Sequence, residues 1–154
     1  VLRIRFAASA AVAVAALAAP LLAATPAAAA PHQGGLHFGW VQYDSPGRDT
    51  RSNASLNAER VNIHNNTRST IQLKGYKIKD NTGYTYTFGN HKIGAGKTVQ
   101  LRTGRGTNSA GYVYWNRGSY VWNNTGDKAR LLRPSGSQAD SCSWGDGRGT
   151  TYCH

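Results

Sequence analysis

In the stretch LKGYKIKDNTGYTYTF, Leu73 to Phe88, side chains alternate in character with period two. Tyr76 and Ile78 fall on one face, Lys77 and Lys79 on the other, which predicts a strand with an aromatic and aliphatic side turned inward and ammonium groups turned to water. Asp80-Asn81-Thr82-Gly83 then has the chemistry of a tight turn. Asp and Asn bond the amides that follow them, and Gly83 can take the positive φ that closes a bulged hairpin. Tyr84, Tyr86 and Phe88 form the returning face.

The same pattern recurs on either side. Leu36, Phe38 and Trp40 alternate along the first run; Glu59, Val61 and Ile63 share one face of the next, opposite Arg60, Asn62 and His64. Val99 with Leu101, and Ala129 with Leu131, repeat it, while Gly94, Gly96, Gly104, Gly106 and Gly126 punctuate the gaps. Seven or eight short strands with one buried face each are satisfied by two sheets packed face to face, a β-sandwich of about a hundred residues. No apolar stripe of period 3.6 follows residue 30, which argues against a wholly α or alternating α/β fold.

The chain has 154 residues, room for one sizeable core. It carries 18 Lys and Arg against 7 Asp and Glu, a formal charge of +11, which excludes an acidic calcium-buffer protein. Arg3 and Arg5 precede an apolar run, Phe6 to Ala19, and a small-residue stretch, Ala27 to Ala30, follows. That is the layout of a secretory leader, and an alanine-rich run broken by Pro20 makes a poor permanent membrane span. Removing residues 1–30 takes away two arginines and no acid, leaving 16 basic against 7 acidic side chains, or +9. The expected organisation is a leader over 1–30, a short linker over 31–35, the sandwich over 36–144, and a C-terminal tail over 145–154. An exported protein meets oxidising conditions, so Cys142 and Cys153, the only two cysteines, are expected to pair and tether that tail. A metal site built from Cys142, Cys153 and His154 is the alternative, and it lacks a CxxC spacing.

Four segments in series, VNIHNNT (Val61 to Thr67), LKGYKIKDNTGYTYTF, IGAGKTVQLRTGRGT (Ile93 to Thr107) and VWNNTGDKARLL (Val121 to Leu132), resemble the lamin tail domain family, its exported bacterial type most of all. The agreement in order and spacing covers Glu59 to Asp140. Tyr76 stands where the family commonly has tryptophan, and Gly89-Asn90-His91 replaces a proline-containing step. The resemblance implies an immunoglobulin-like β-sandwich and a binding or interaction module. In nuclear lamins such domains engage protein and nucleic-acid partners, and in bacteria they are often appended to exported hydrolases. The family shares no catalytic constellation, so no active-site residue, cofactor or enzymatic activity is implied.

Gly94-Ala95-Gly96-Lys97-Thr98 is not a phosphate loop, because the glycine required four residues before Gly96 falls at His91 and a strand follows. Asp44, Asp49, Asn53, Asn57 and Glu59 crowd a polar loop and could in principle surround calcium, but their spacing fits no EF-hand, and Asx turns that cap loop amides are the favoured reading, so no metal is expected. Glu59 shares parity with Val61 and Ile63, which predicts a carboxylate latched to backbone amides. Paired with His37, His64, His91 or His154, an exposed Glu59 would instead supply the acid and base of a small secreted ribonuclease-like hydrolase.

Arg60, Lys77, Lys79, Arg102, Lys128 and Arg130 all have outward parity, so a sheet face is expected to attract an anionic polymer, extracellular nucleic acid or a phosphate-bearing wall polymer. Tyr112, Tyr114 and Trp115 offer stacking faces, the basis of a second reading as a carbohydrate-binding module. Trp122, inside a family motif, is expected to be structural. The expectation is a secreted, non-enzymatic binding module with no cofactor, no stable membrane span and an unidentified protein partner, if any.

Overall fold

A computed structural model of the chain describes residues 33–154; the leader over 1–30 and the start of the linker lie outside the described residues. The Asp80 turn forms as its sequence dictates. The carboxylate accepts the Gly83 amide at 2.7 Å and the Thr82 hydroxyl, and Gly83 sits at φ 113°. This turn joins β4 (Lys77–Lys79) to β5 (Thr85–Thr87), which pair antiparallel with Ile78 opposite Tyr86.

The remaining strands are β1 (Leu36–Gln42), β2 (Arg60–Asn65), β3 (Ile71–Gln72), β6 (Lys92–Ile93), β7 (Thr98–Arg102), β8 (Tyr112–Tyr114), β9 (Gly126–Leu132), β10 (Gln138–Gly145) and β11 (Thr150–Tyr152). One sheet has the order β11-β1-β2-β7-β8, a second β10-β9-β4-β5, and β3 pairs with β6 in a short ribbon. Pairing is antiparallel except between β7 and β8. Phe38, Val41, Val61, Ile63, Val99, Leu101 and Val113 from the first sheet meet Ile78, Ala129 and Leu131 from the second in one buried cluster. Each such large aliphatic side chain contributes roughly 1.5–3 kcal/mol by leaving water. The result is the two-layer, immunoglobulin-like sandwich that the alternation requires.

Two links cross between the layers. Asp140 of β10 accepts the buried Phe38 amide of β1 at 2.7 Å, and Cys142 of β10 is disulfide-bonded to Cys153, the residue after β11. The segment beyond Gly145 is more than a tether, because β11 completes the edge of the five-stranded sheet with Tyr152 opposite Trp40.

Two local features depart from the alternation. The register of β1 against β2 shifts between Phe38 and Val41, a bulge at Gly39-Trp40. Phe38 and Val41 both point inward as a consequence, and Trp40 leaves the core side on which period two places it. The polar stretch before β2 holds a single helix, α1 (Asn53–Ala58), rather than loop alone. Ser52 caps it by accepting the Ser55 amide at 3.2 Å, and Leu56 anchors it in the interior. One apolar residue is too few for a visible helical stripe.

Candidate functional site

The protein surface is more cationic than its composition implies, because most carboxylates are consumed inside. Glu59, Asp80, Asp127 and Asp140 are buried, and each accepts backbone amides. Asp127 alone takes those of Asn81, Asn123 and Lys128. Asp44, Asp49 and Asp146 are the acids left near solvent, whereas none of the 16 lysines and arginines among the described residues is buried. The one contact at ion-pairing distance among those residues is the hydrogen bond between His154 and Asp140 at 3.1 Å, an ion pair only when the imidazole is protonated. No lysine or arginine there is neutralised within ion-pairing distance.

The six cations singled out by parity do not share one face. Arg60 and Arg102 lie on β2 and β7 of the five-stranded sheet, while Lys77, Lys79, Lys128 and Arg130 lie on β4 and β9 of the other. Both sheets turn their apolar sides to the same core, so the two groups look out in opposite directions. Summation over a single surface is therefore corrected to two smaller patches. In the second patch Lys79 stands opposite Arg130, and Arg130 donates to the Asp80 carbonyl at 2.8 Å.

The first patch is more organised. Arg60 and Arg102 are direct cross-strand partners. The Arg60 guanidinium lies over the Trp40 ring at 4.8 Å, and that of Arg102 over Tyr112 at 4.4 Å. The sequence of groups across the sheet is thus ring, cation, cation, ring. Burial first, and the Arg102 charge second, hold Arg60 below its ordinary pKa. Beside Trp40, the outer side of the sheet opens into a cleft of about 240 Å³ lined by Tyr152, Asn62, His64, Thr98 and His154. Tyr152 is 81% exposed.

The aromatic platform expected from Tyr112, Tyr114 and Trp115 does not assemble. Tyr112 is exposed but carries Arg102, Tyr114 packs so closely on Gly106 that a Cβ there would lie 2.4 Å from its ring, and Trp115 joins Tyr86 and Trp122 in an edge-to-face cluster against the core. Trp122 is buried, as a structural role requires. The rings that line the outer cleft are instead the half-buried Trp40 and the exposed Tyr152, which sequence reasoning missed. Gly39 inside a strand pattern is the signal for Trp40, since an isolated glycine there commonly marks a bulge. Nothing local marks Tyr152.

The oxygen-rich loop does not converge on a cation. Asn53 accepts the Arg105 amide at 2.7 Å and donates to its carbonyl at 3.0 Å, and Asn57 donates to the same carbonyl at 2.9 Å. Among the described residues no three His, Cys, Asp or Glu side chains are arranged to hold a metal. Glu59 is fully buried and accepts the amides of Val121 (3.1 Å) and Trp122 (2.8 Å). Desolvation raises its pKa from 4.5 to about 7. The Thr103 hydroxyl, outside strict hydrogen-bond geometry yet near enough to favour the anion, and the two amides oppose that rise. The ring of His37 lies 5.4 Å from that of His64 and 5.9 Å from that of His154, while His91 precedes β6. The carboxylate that an acid-base pair would need is closed off from substrate.

No match to the chain is found among curated proteins. Its sequence does match the Lamin Tail Domain family over residues 29–146, most of its length. With the serial motifs, the two-layer sandwich and the Asp127 turn in place, the chain belongs to the lamin tail domain family.

Proposed function

We propose that this protein is a secreted, non-enzymatic interaction module that engages anionic polymers, extracellular nucleic acid or phosphate-bearing wall polymer, through the outer face of its five-stranded sheet. The observation that carries the reading is the Arg60–Arg102 pair. Like charges directly opposite on a sheet repel, and no carboxylate of the described residues offsets them. A bridging phosphate would remove the repulsion and release the polymer's counterions. Trp40 and Tyr112 each hold one guanidinium over a ring face, which positions both cations, while the exposed Tyr152 ring of the adjoining cleft remains open to a stacked base.

Binding of a thymidine oligomer and of poly(glycerol phosphate), followed from low to high salt, tests it. The expected result is affinity that falls steeply with salt, with the slope of log K against log salt reduced by about 1.4 in an R60Q/R102Q variant, roughly 0.7 for each phosphate that an arginine no longer neutralises. No retention of either polymer at low salt would defeat the proposal. The Trp40–Tyr152 cleft favours a second reading, stacking on a neutral sugar. In that case binding is indifferent to salt and is abolished in Tyr152→Ala. Export is supported by the leader pattern and the disulfide, and N-terminal sequencing of protein collected outside the cell tests it.

A further inference from the structure

We propose that Arg51, Arg105 and Arg117 form a separate site for a small tetrahedral oxyanion of the phosphate class, in the loops that precede α1 and follow β7 and β8. The three line a cleft of about 290 Å³ with Leu56 and Asn53 behind them. The sequence offers calcium only as the minor alternative for this loop. The folded loop has the opposite polarity.

Backbone contacts fix the base of each arginine, and no carboxylate pairs with its charge. Both backbone polar groups of Arg105 are bound by the side chains of Asn53 and Asn57. Its neighbours are glycines because nothing larger fits: a Cβ at Gly104 would lie 2.6 Å from the Asn57 side-chain oxygen, and one at Gly106 would strike Tyr114. The exposed Arg105 side chain therefore springs from a fixed base. Arg117 donates its amide to the Thr103 carbonyl at 2.9 Å, and its guanidinium lies over Tyr84 at 4.3 Å. Its Nε is shielded from solvent, so only the remaining guanidinium nitrogens are available to the cleft that Arg117 helps to line. Arg51 donates its amide to the Tyr120 hydroxyl at 3.3 Å.

The backbone adds an independent observation. Arg51 (φ 56°) and Asn116 (φ 61°) are the only non-glycine residues of the described chain in the left-handed region; Arg51 lines this cleft and Asn116 immediately precedes Arg117, which does. Asparagine tolerates that region, but a long side chain such as that of Arg51 rarely adopts it without being held there, and such strain concentrates at binding sites. No acid forms an ion pair with any of the three arginines, Asp49 on the adjoining loop included. Three guanidiniums lining one cleft with no paired acid supply the charge and N–H donors that the oxygens of a phosphate group accept, and the fixed backbone at Arg105 and Arg117 lowers the entropic cost of binding it.

The test is titration of the full, disulfide-bonded protein with inorganic phosphate at constant ionic strength, read by the arginine guanidinium N–H resonances and by calorimetry. Glycerol phosphate in a parallel titration separates a free ion from a phosphate ester on a larger molecule. The expected result is saturable movement of the Arg105 Nε–H signal and of the Arg117 guanidinium NH2 signals. Arg117→Lys, which keeps the charge but loses the fork, should weaken binding about tenfold, the size of one charge-assisted hydrogen bond. The R60Q/R102Q variant should bind inorganic phosphate within about twofold of the parent, so this site and the sheet face fail or stand separately. Signals that drift linearly with phosphate would overturn the proposal. So would equal affinity in an R105Q/R117Q variant whose amide spectrum shows an intact fold.

Discussion

Replacing Glu59 with glutamine removes the single glutamate of the chain and, with it, a specific dependence of stability on pH. In the folded protein the carboxyl is fully buried and titrates near 7; in the unfolded chain it titrates at its ordinary 4.5. Below 4.5 both states hold the proton, and no charge is buried. Between 4.5 and 7 the unfolded chain releases it while the folded protein keeps it, so this group's contribution to stability falls as pH rises. Above 7 both are ionised and the loss is complete. The gap corresponds to about 3 kcal/mol. Urea unfolding of the parent and of Glu59→Gln at pH 4 and pH 8 isolates the effect, because every other titrating group cancels in the double difference. Glutamine keeps one acceptor for the Trp122 amide but turns its NH2 toward another donor, so it should cost about 1–3 kcal/mol at low pH and recover relative to the parent as pH rises. Parallel curves for the two proteins, within about 1 kcal/mol, would refute the reasoning. A carboxyl-carbon NMR midpoint near 4.5 would do the same.

Three further outcomes follow from single interactions. Replacing both cysteines by serine should lower stability by about 3 kcal/mol, the loop-entropy value for a link spanning 11 residues, and should accelerate amide exchange in β11, checked by urea unfolding and hydrogen exchange. Asp140→Ala strands the buried Phe38 amide and releases His154, for an expected loss of about 1–3 kcal/mol by the same unfolding assay. Gly106→Ala forces a methyl against the Tyr114 ring and should cost about 1–3 kcal/mol; in it the phosphate-induced movement of the Arg105 Nε–H resonance should shrink, whereas that of a surface lysine would not change.

Particular residues show why some of this was legible and some was not. Val61, Ile63, Val99, Leu101, Ala129 and Leu131 are buried where alternation put them, because a strand's side-chain direction is set by covalent geometry within a few residues. Asp80 and Gly83 form their turn for the same local reason. Trp40 broke the pattern because one extra residue at the bulge reverses every later side chain on the strand. Helix α1 went unforeseen because its hold on the protein is one buried leucine and two asparagines that reach Arg105, nearly fifty residues away in the chain.

By itself, the sequence determined which side chains face the core wherever a strand runs without a bulge, that the layers must be two, that the chain carries excess positive charge, and, through serial motifs, the family. The tertiary structure decided which cations are neighbours. Arg60 and Lys77 have the same outward parity yet belong to opposite faces, while Arg60 and Arg102 come together across 42 positions. Strand partnership is a long-range choice made by the packing of the whole core, and parity within one strand carries no information about it. The fate of the acids was decided at the same level. A carboxylate counts toward surface charge only if the fold leaves it in solvent, and here the fold buries four of seven against backbone amides.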